Sequence, residues 1–196
     1  MSVSAPILPL VAAFLACAAE DPPPLPDVVV AEGVSLVTAG GESATATRAE
    51  LRGERVVADV VTVTAGLDVR SRRSDWDLKA GTALFTQDVV AVRGEVTLRC
   101  ERLEVVLGSA GTIKSASASG KLRLSTGGRE ATAERAELDV TSGTLVLTGS
   151  PRISEAGRSL SGDRIRVELD GGRAVCEGDP CRLTVDDGGL PAGGAP

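Results

Sequence analysis

The feature that most constrains this chain is an internal repeat. Residues 33–51 (GVSLVTAGGESATATRAEL) lie over residues 120–138 (GKLRLSTGGREATAERAEL) without a gap, with 10 identities in 19 positions at an offset of 87 residues. Glycines mark smaller steps: Gly33, Gly66, Gly94, Gly120, Gly149 and Gly178 follow one another at 33, 28, 26, 29 and 29 residues, so the offset of 87 is about three units. A fixed period of this size means supersecondary units that stack, because one unit cannot bury its apolar face alone.

Within a unit the apolar period is two rather than 3.6, which is the signature of half-buried strands. Val90, Val92, Gly94, Val96, Leu98 and Cys100 share one parity, as do Ala116, Ala118, Gly120, Leu122 and Leu124, and then Leu145, Leu147, Gly149, Pro151 and Ile153. Each of these glycines sits in phase with the inward set, which predicts a kink within a long strand and not a hairpin turn. A second strand follows, in which Ala131 and Ala133 share one parity and Ala136, Leu138 and Val140 the other. Leu160, Gly162, Ile165, Val167 and Leu169 change phase at the same place, so a one-residue slip recurs and predicts β-bulges at equivalent positions. Thr141-Ser142-Gly143 and Asp170-Gly171-Gly172 read as turns. The stretch 44–55 suits a helix by propensity, but its match to a clear strand assigns it to a strand.

The two ends read differently. Residues 7–19 form an apolar run too short to cross the roughly 30 Å hydrocarbon layer as a helix, and it reads as the core of an export signal over residues 1–17. Phe14-Leu15-Ala16-Cys17 approximates a lipobox, with Cys17 the candidate for lipidation; Ala16-Cys17-Ala18 is the rival small-residue cleavage site. Either places the chain in the periplasm, as a membrane-anchored lipoprotein or a soluble form, although no Lys or Arg precedes Ile7. Residues 18–27 carry Pro22, Pro23, Pro24 and Pro26 and read as an extended linker. Residues 28–185 form the folded domain, and 186–196 a disordered tail.

Absences narrow the chemistry. The chain has no His and no Tyr, two Phe and one Trp, and its net charge is −6. Without histidine there is no Ser/His/Asp or Cys/His system and no imidazole metal site. Acidity and the lack of stacking aromatics exclude nucleic acid as a partner. No pair of carboxylates stands out from the outward-facing charges, so no enzymatic activity, metal or cofactor is expected.

The run from Gly120 to Gly149, with G-K-L-R-L, A-T-A-E-R-A-E-L-D and L-V-L-T-G-S-P-R-I, followed by L-S-G-D-R-I-R-V-E-L, resembles the OstA-like periplasmic family of lipopolysaccharide transport, which includes LptA, LptC and the N-terminal part of LptD. The resemblance is clearest over residues 89–185. It implies an all-β fold, an open twisted β-jellyroll of repeated antiparallel strand units whose two sheets enclose a groove for acyl chains. It also implies a lipid-relay role, as an LptA-like bridge or an LptC-like component of outer-membrane assembly, with lipopolysaccharide or a related lipid as ligand and other jellyroll domains as partners. On the inward parity the groove wall is Val96, Leu98, Leu122, Leu124, Leu138, Val140, Leu145, Leu147, Ile153, Ile165, Val167 and Leu169. Many other inward positions are Ala or Gly, including Ala116, Ala118, Ala131, Ala133, Gly149 and Gly162, and small residues leave room between sheets that normally fill a gap of about 10 Å. The alternative is a β-solenoid structural protein that polymerises, with the same residues making a closed core and no ligand.

A domain that does not close leaves edge strands open to strand addition. The first strand, around residues 28–31, lacks the charges that blunt an edge, although Asp27 and Glu32 flank it. Cys176 and Cys181 are a candidate disulfide: a straight strand would hold them about 16 Å apart, but one extra residue in the last unit permits a local bulge or hairpin at residues 178–180. Cys100 reads as a buried free thiol. Arg70, Arg72 and Arg73, near Trp76, read as a solvated loop, with lipid phosphate as the sharper alternative.

Overall fold

The computed structural model describes residues 28–37, 43–64, 67–108, 113–169 and 173–185. The signal, Cys17, the linker, the tail, Gly66 and the turn at 170–172 lie outside the described residues. The described strands are β1 (Val28–Val37), β2 (Ser43–Arg52), β3 (Arg55–Thr64), β4 (Asp68–Asp77), β5 (Thr82–Arg93), β6 (Val96–Leu107), β7 (Ile113–Thr126), β8 (Arg129–Asp139), β9 (Thr144–Thr148), β10 (Arg152–Glu155), β11 (Arg158–Ser161), β12 (Arg164–Glu168), β13 (Arg173–Glu177) and β14 (Arg182–Val185). The stretch over 44–55 is strand, as its repeat partner predicts.

From β1 to β8 each strand pairs antiparallel with the next. Beyond β8 the same meander continues in strands broken at the middle. The outer half of β8 pairs with β9 and its inner half with β10, and these pair onward with β12 and β11, which pair with β13 and β14. The result is one sheet of two arms joined along a bend. The first arm holds the halves around residues 55–59, 82–86, 102–107, 135–139 and 144–148, and the second the halves around 61–64, 89–93, 96–100, 122–126 and 152–155. Register slips by one residue at the bend between Arg70/Arg73, Thr86/Val89, Arg99/Arg102 and Ser119/Leu122. These are bulges of the kind the shared phase change predicts.

The fold is the open twisted antiparallel β-jellyroll. All pairings are antiparallel, which removes the solenoid alternative, since coils of a β-helix stack in parallel. The sheet does not close: among the described strands, β1 pairs only with β2, β13 only with β12, and β14 only with β11.

Two glycine assignments need correction. Gly94 is not a kink but half of a two-residue hairpin loop, with Arg93 paired to Val96 and φ at +58°; its spacing fits the repeat by coincidence of loop position. The bend falls at Gly33, Val60, Gln87, Gly120, Gly149 and Gly178, all at positive φ. Val60 and Gln87 therefore occupy the places where the glycine pattern put Gly66 and Gly94. Nor do the bend glycines leave interior space. A Cβ on Gly120 would lie 2.7 Å from the Cβ of Glu101, and one on Gly149 2.5 Å from that of Glu134, so carboxylate stems of the preceding strand fill those positions.

Candidate lipid groove and sheet edges

The inner faces of the arms are built as rows running across the sheet. On the first arm the row nearest the bend is Ala49, Ala58, Ser74, Phe85, Leu103, Ala118, Ala136, Leu147 and Ile165, each residue paired with the next. On the second arm the corresponding positions include Val61, Ser71, Val89, Cys100, Leu122 and Ala133. From Ala58 to Ile165 these residues are buried, Ile165 to 0% and Leu122 and Leu147 to 1% exposure, and the apolar ones belong to one core cluster. A single sheet cannot bury one face this far; each arm covers the other. This row is the sealed floor of the cleft. Ala118 and Ala133, expected to leave room, are buried in this cluster with their larger neighbours.

A second row lies one step further out. It runs Leu51, Val56, Trp76, Ala83, Val105, Ala116, Leu138, Leu145 and Val167 on the first arm, and Ala44, Val63, Val69, Ala91, Leu98, Leu124, Ala131, Ile153, Leu160 and Leu183 on the second. Toward the N-terminal side the cleft holds aromatics: Trp76 meets Phe85 edge to face at 5.4 Å, and its indole N–H donates to the buried Ser74 hydroxyl at 3.0 Å. From β6 onward the row is aliphatic, half-buried at Leu98, Leu124, Leu138, Ile153, Leu160 and Val167 and buried between them at Val105, Ala131 and Leu145.

The twelve wall residues read from sequence thus divide by depth. Leu122, Leu147 and Ile165 lie in the floor; Leu145 is buried in the next row; Leu98, Leu124, Leu138, Ile153 and Val167 are half-buried beside it. Val96, Val140 and Leu169 are the exposed members of the set. They sit at strand ends with 37%, 38% and 50% exposure, Val140 and Leu169 beyond the last paired residues of β8 and β12, because alternation continues past the point where the opposite arm can cover it. Cavities of about 460 and 480 Å³ open on the outer faces, one between the 127–128 and 156–157 turns beside Arg129, Arg152 and Arg158, the other over Glu104, Ser117, Glu137 and Arg166.

The outer faces carry exposed ion pairs such as Arg129–Glu155 at 2.7 Å and Arg166–Glu177 at 2.9 Å, each worth about 0–1 kcal/mol. The arginine cluster belongs to strand β4 and not to a loop. There Arg72 pairs with Asp88 at 2.7 Å, while Asp75 accepts from Arg55 at 2.8 Å, a contact that holds the Arg55 guanidinium above its usual range. Cys100 is a buried free thiol whose burial pushes it up to about 11, against a smaller opposing hydrogen bond from the Arg102 backbone. Cys176 and Cys181 are joined, with Cα atoms 6.0 Å apart. Sequence reading had no means to place the half-buried Leu160 opposite Ile153, although its parity was visible.

Comparison with known proteins accords with this geometry. The profile of the family described as LptA/(LptD N-terminal domain) LPS transport protein matches residues 68–173. Among solved structures, the chain is similar to LptH of Pseudomonas aeruginosa, described as the LptA-homologous periplasmic component of the conserved lipopolysaccharide transport device. The TM-score is 0.56 at 15% identity, over 61% of this chain and 94% of that one. No curated protein sequence matches. The chain, by its matched residues and its open jellyroll, belongs to the LptA/LptD N-terminal-domain family of lipopolysaccharide transport proteins.

Proposed function

We propose that this protein is a non-enzymatic periplasmic component of lipopolysaccharide transport that carries the acyl chains of the lipid between its two arms. The observation that carries the reading is the aliphatic row Leu98, Leu124, Leu138, Ile153, Leu160 and Val167, half-buried above a sealed floor. Each lipid methylene removed from water against it contributes about 0.8 kcal/mol. The floor fixes the spacing of the arms, so the hydrocarbon lies along the mouth of the cleft and not at the bend.

Passage from one molecule to the next is supported by the edges. In β1 the bend at Gly33 leaves five residues on the first arm (28–32) and four on the second (34–37); β13 and β14 supply five and four. Both edges run from first arm to second, so a second copy would add its β1 in parallel to the C-terminal edge and continue the cleft. Residues 1–17 serve as the export signal, 18–27 as the spacer and 28–185 as the carrier domain; acylation of Cys17 would make it the membrane-held member of the pathway, and its absence a soluble bridge.

Native mass spectrometry of the exported protein incubated with lipopolysaccharide tests the reading. A lipid adduct that disappears in Leu124→Asp/Ile153→Asp supports it; a wild-type protein that retains no lipid overturns it.

A further inference from the structure

The last strand departs from the sheet's own pattern. Across the bend the pairing of β9/β10 with β12/β11 moves by one residue, whereas that of β12/β11 with β13/β14 moves by two. The surplus is taken up at 178–180, between Cys176 near the end of β13 and Cys181 directly before β14. Five extended residues would span about 16 Å; the disulfide holds the two Cα atoms at 6.0 Å. Its seat is prepared in the break between β11 and β12, since a Cβ on Gly162 would collide with Cys176 Sγ and lie 3.4 Å from Cys181 Sγ.

Beyond this tie β14 has little to hold it. All four of its residues are exposed, Leu183 to 69% and Val185 to 53%, and it pairs over four residues with β11 alone. A strand this short and unpacked is marginal by itself. Cys181 is exposed and Cys176 half-buried, so the bridge is open to thiol attack.

We propose that the Cys176–Cys181 disulfide is a redox-sensitive brace of the C-terminal docking edge, an inference that rests on the edge-to-edge reading above. Oxidised, β13 and β14 present one edge of five and four residues to the β1 of a second copy. A dithiol reductant opens it: one thiolate attacks Cys181 Sγ and releases the Cys176 thiolate, and the second thiol then displaces Cys181. Two electrons pass to the bridge, and the reductant leaves as its own disulfide. β14 then frays and the second arm's half of the edge is lost.

The test uses the full chain, oxidised or treated with dithiothreitol, and the Cys176→Ser/Cys181→Ser variant, read by hydrogen exchange and sedimentation velocity. Expected are an at least tenfold rise in exchange at residues 183–185 on reduction, no change in β9, an at least tenfold weaker self-association, and a variant that behaves as reduced in either buffer. Exchange at 183–185 that ignores the redox state overturns the brace. Association equal in both states also overturns it while leaving the edge-to-edge reading intact. An oxidised protein that stays monomeric removes the edge-to-edge reading itself, and with it the docking role, even where exchange responds to reductant.

Discussion

Gly149→Ala isolates the device that bends the sheet. At this position φ is +78°, and an added methyl carbon would lie 2.5 Å from Glu134 Cβ and 2.8 Å from its Cγ. The left-handed conformation costs an alanine about 1–2 kcal/mol. The colliding Cβ is fixed by the β8 backbone and cannot swing away, so overpacking adds about 1–3 kcal/mol. A less flexible unfolded chain offsets about 0.5 kcal/mol, which leaves a net loss of about 2–4 kcal/mol. Gly94→Ala is the internal control, because φ there is +58° but nothing lies within 4 Å; it should lose only about 1 kcal/mol. At about 2–4 °C per kcal/mol for a domain of this size, the two melting temperatures should differ by about 6 °C. Urea unfolding followed through Trp76, the single tryptophan, gives the free energies. Glu134→Gly, which removes the obstructing Cβ, should recover part of the loss in the Gly149→Ala background. Equal destabilisation by Gly149→Ala and Gly94→Ala, or no recovery in the double variant, would refute the reasoning.

Val60 holds φ at 48° on a β-branched residue that is 56% exposed, so Val60→Asn, which tolerates this conformation, should stabilise the domain by about 1 kcal/mol in the same denaturation assay. Leu147→Ala, in the floor at 1% exposure, should cost about 2–5 kcal/mol. Leu183→Ala at 69% exposure should leave unfolding nearly unchanged and be felt in self-association by sedimentation instead. Burial raises the Cys100 thiol from 9.0 to about 11 in the fold, so the unfolded chain ionises first as pH rises. Its contribution is intact below about pH 9 and is lost between pH 9 and 11, an excess fall of about 3 kcal/mol that Cys100→Ala should abolish in pH-dependent unfolding.

Much of this architecture was legible because alternation survives wherever one face is covered. The phase change between Ala133 and Ala136 in β8 marked the register slip opposite Gly120 and Lys121 of β7, and the match of residues 33–51 to 120–138 superposes β1–β2 on β7–β8 with Gly33 and Gly120 both at the bend. What failed has local causes. At the second and third bends the sequence has Val60 and Gln87, residues with no turn signature, while Gly66 and Gly94 stand nearby at similar spacing and drew the assignment. A better signal was present: Glu134 precedes Gly149, and Asp163 precedes Gly178, by 15 residues, an acidic stem facing each glycine. Parity also says which side chains point inward but not how far apart the opposing faces stand. Ala118 and Ala133 were therefore read as leaving room although they are buried in the core cluster, and Val96, Val140 and Leu169 share the inward parity although they sit at or just past strand ends, exposed.

The central claim is that lipid lies between the arms, on the half-buried row above the floor. Photo-crosslinking tests it at single positions, with a benzophenone amino acid at Leu124 or Ile153 on the inner row, and at Arg123 or Val146 on the opposite parity, in protein loaded with lipopolysaccharide. The account predicts lipid adducts from Leu124 and Ile153 and none above background from Arg123 and Val146. Equal labelling from both sets, or adducts from the outer positions alone, would contradict it.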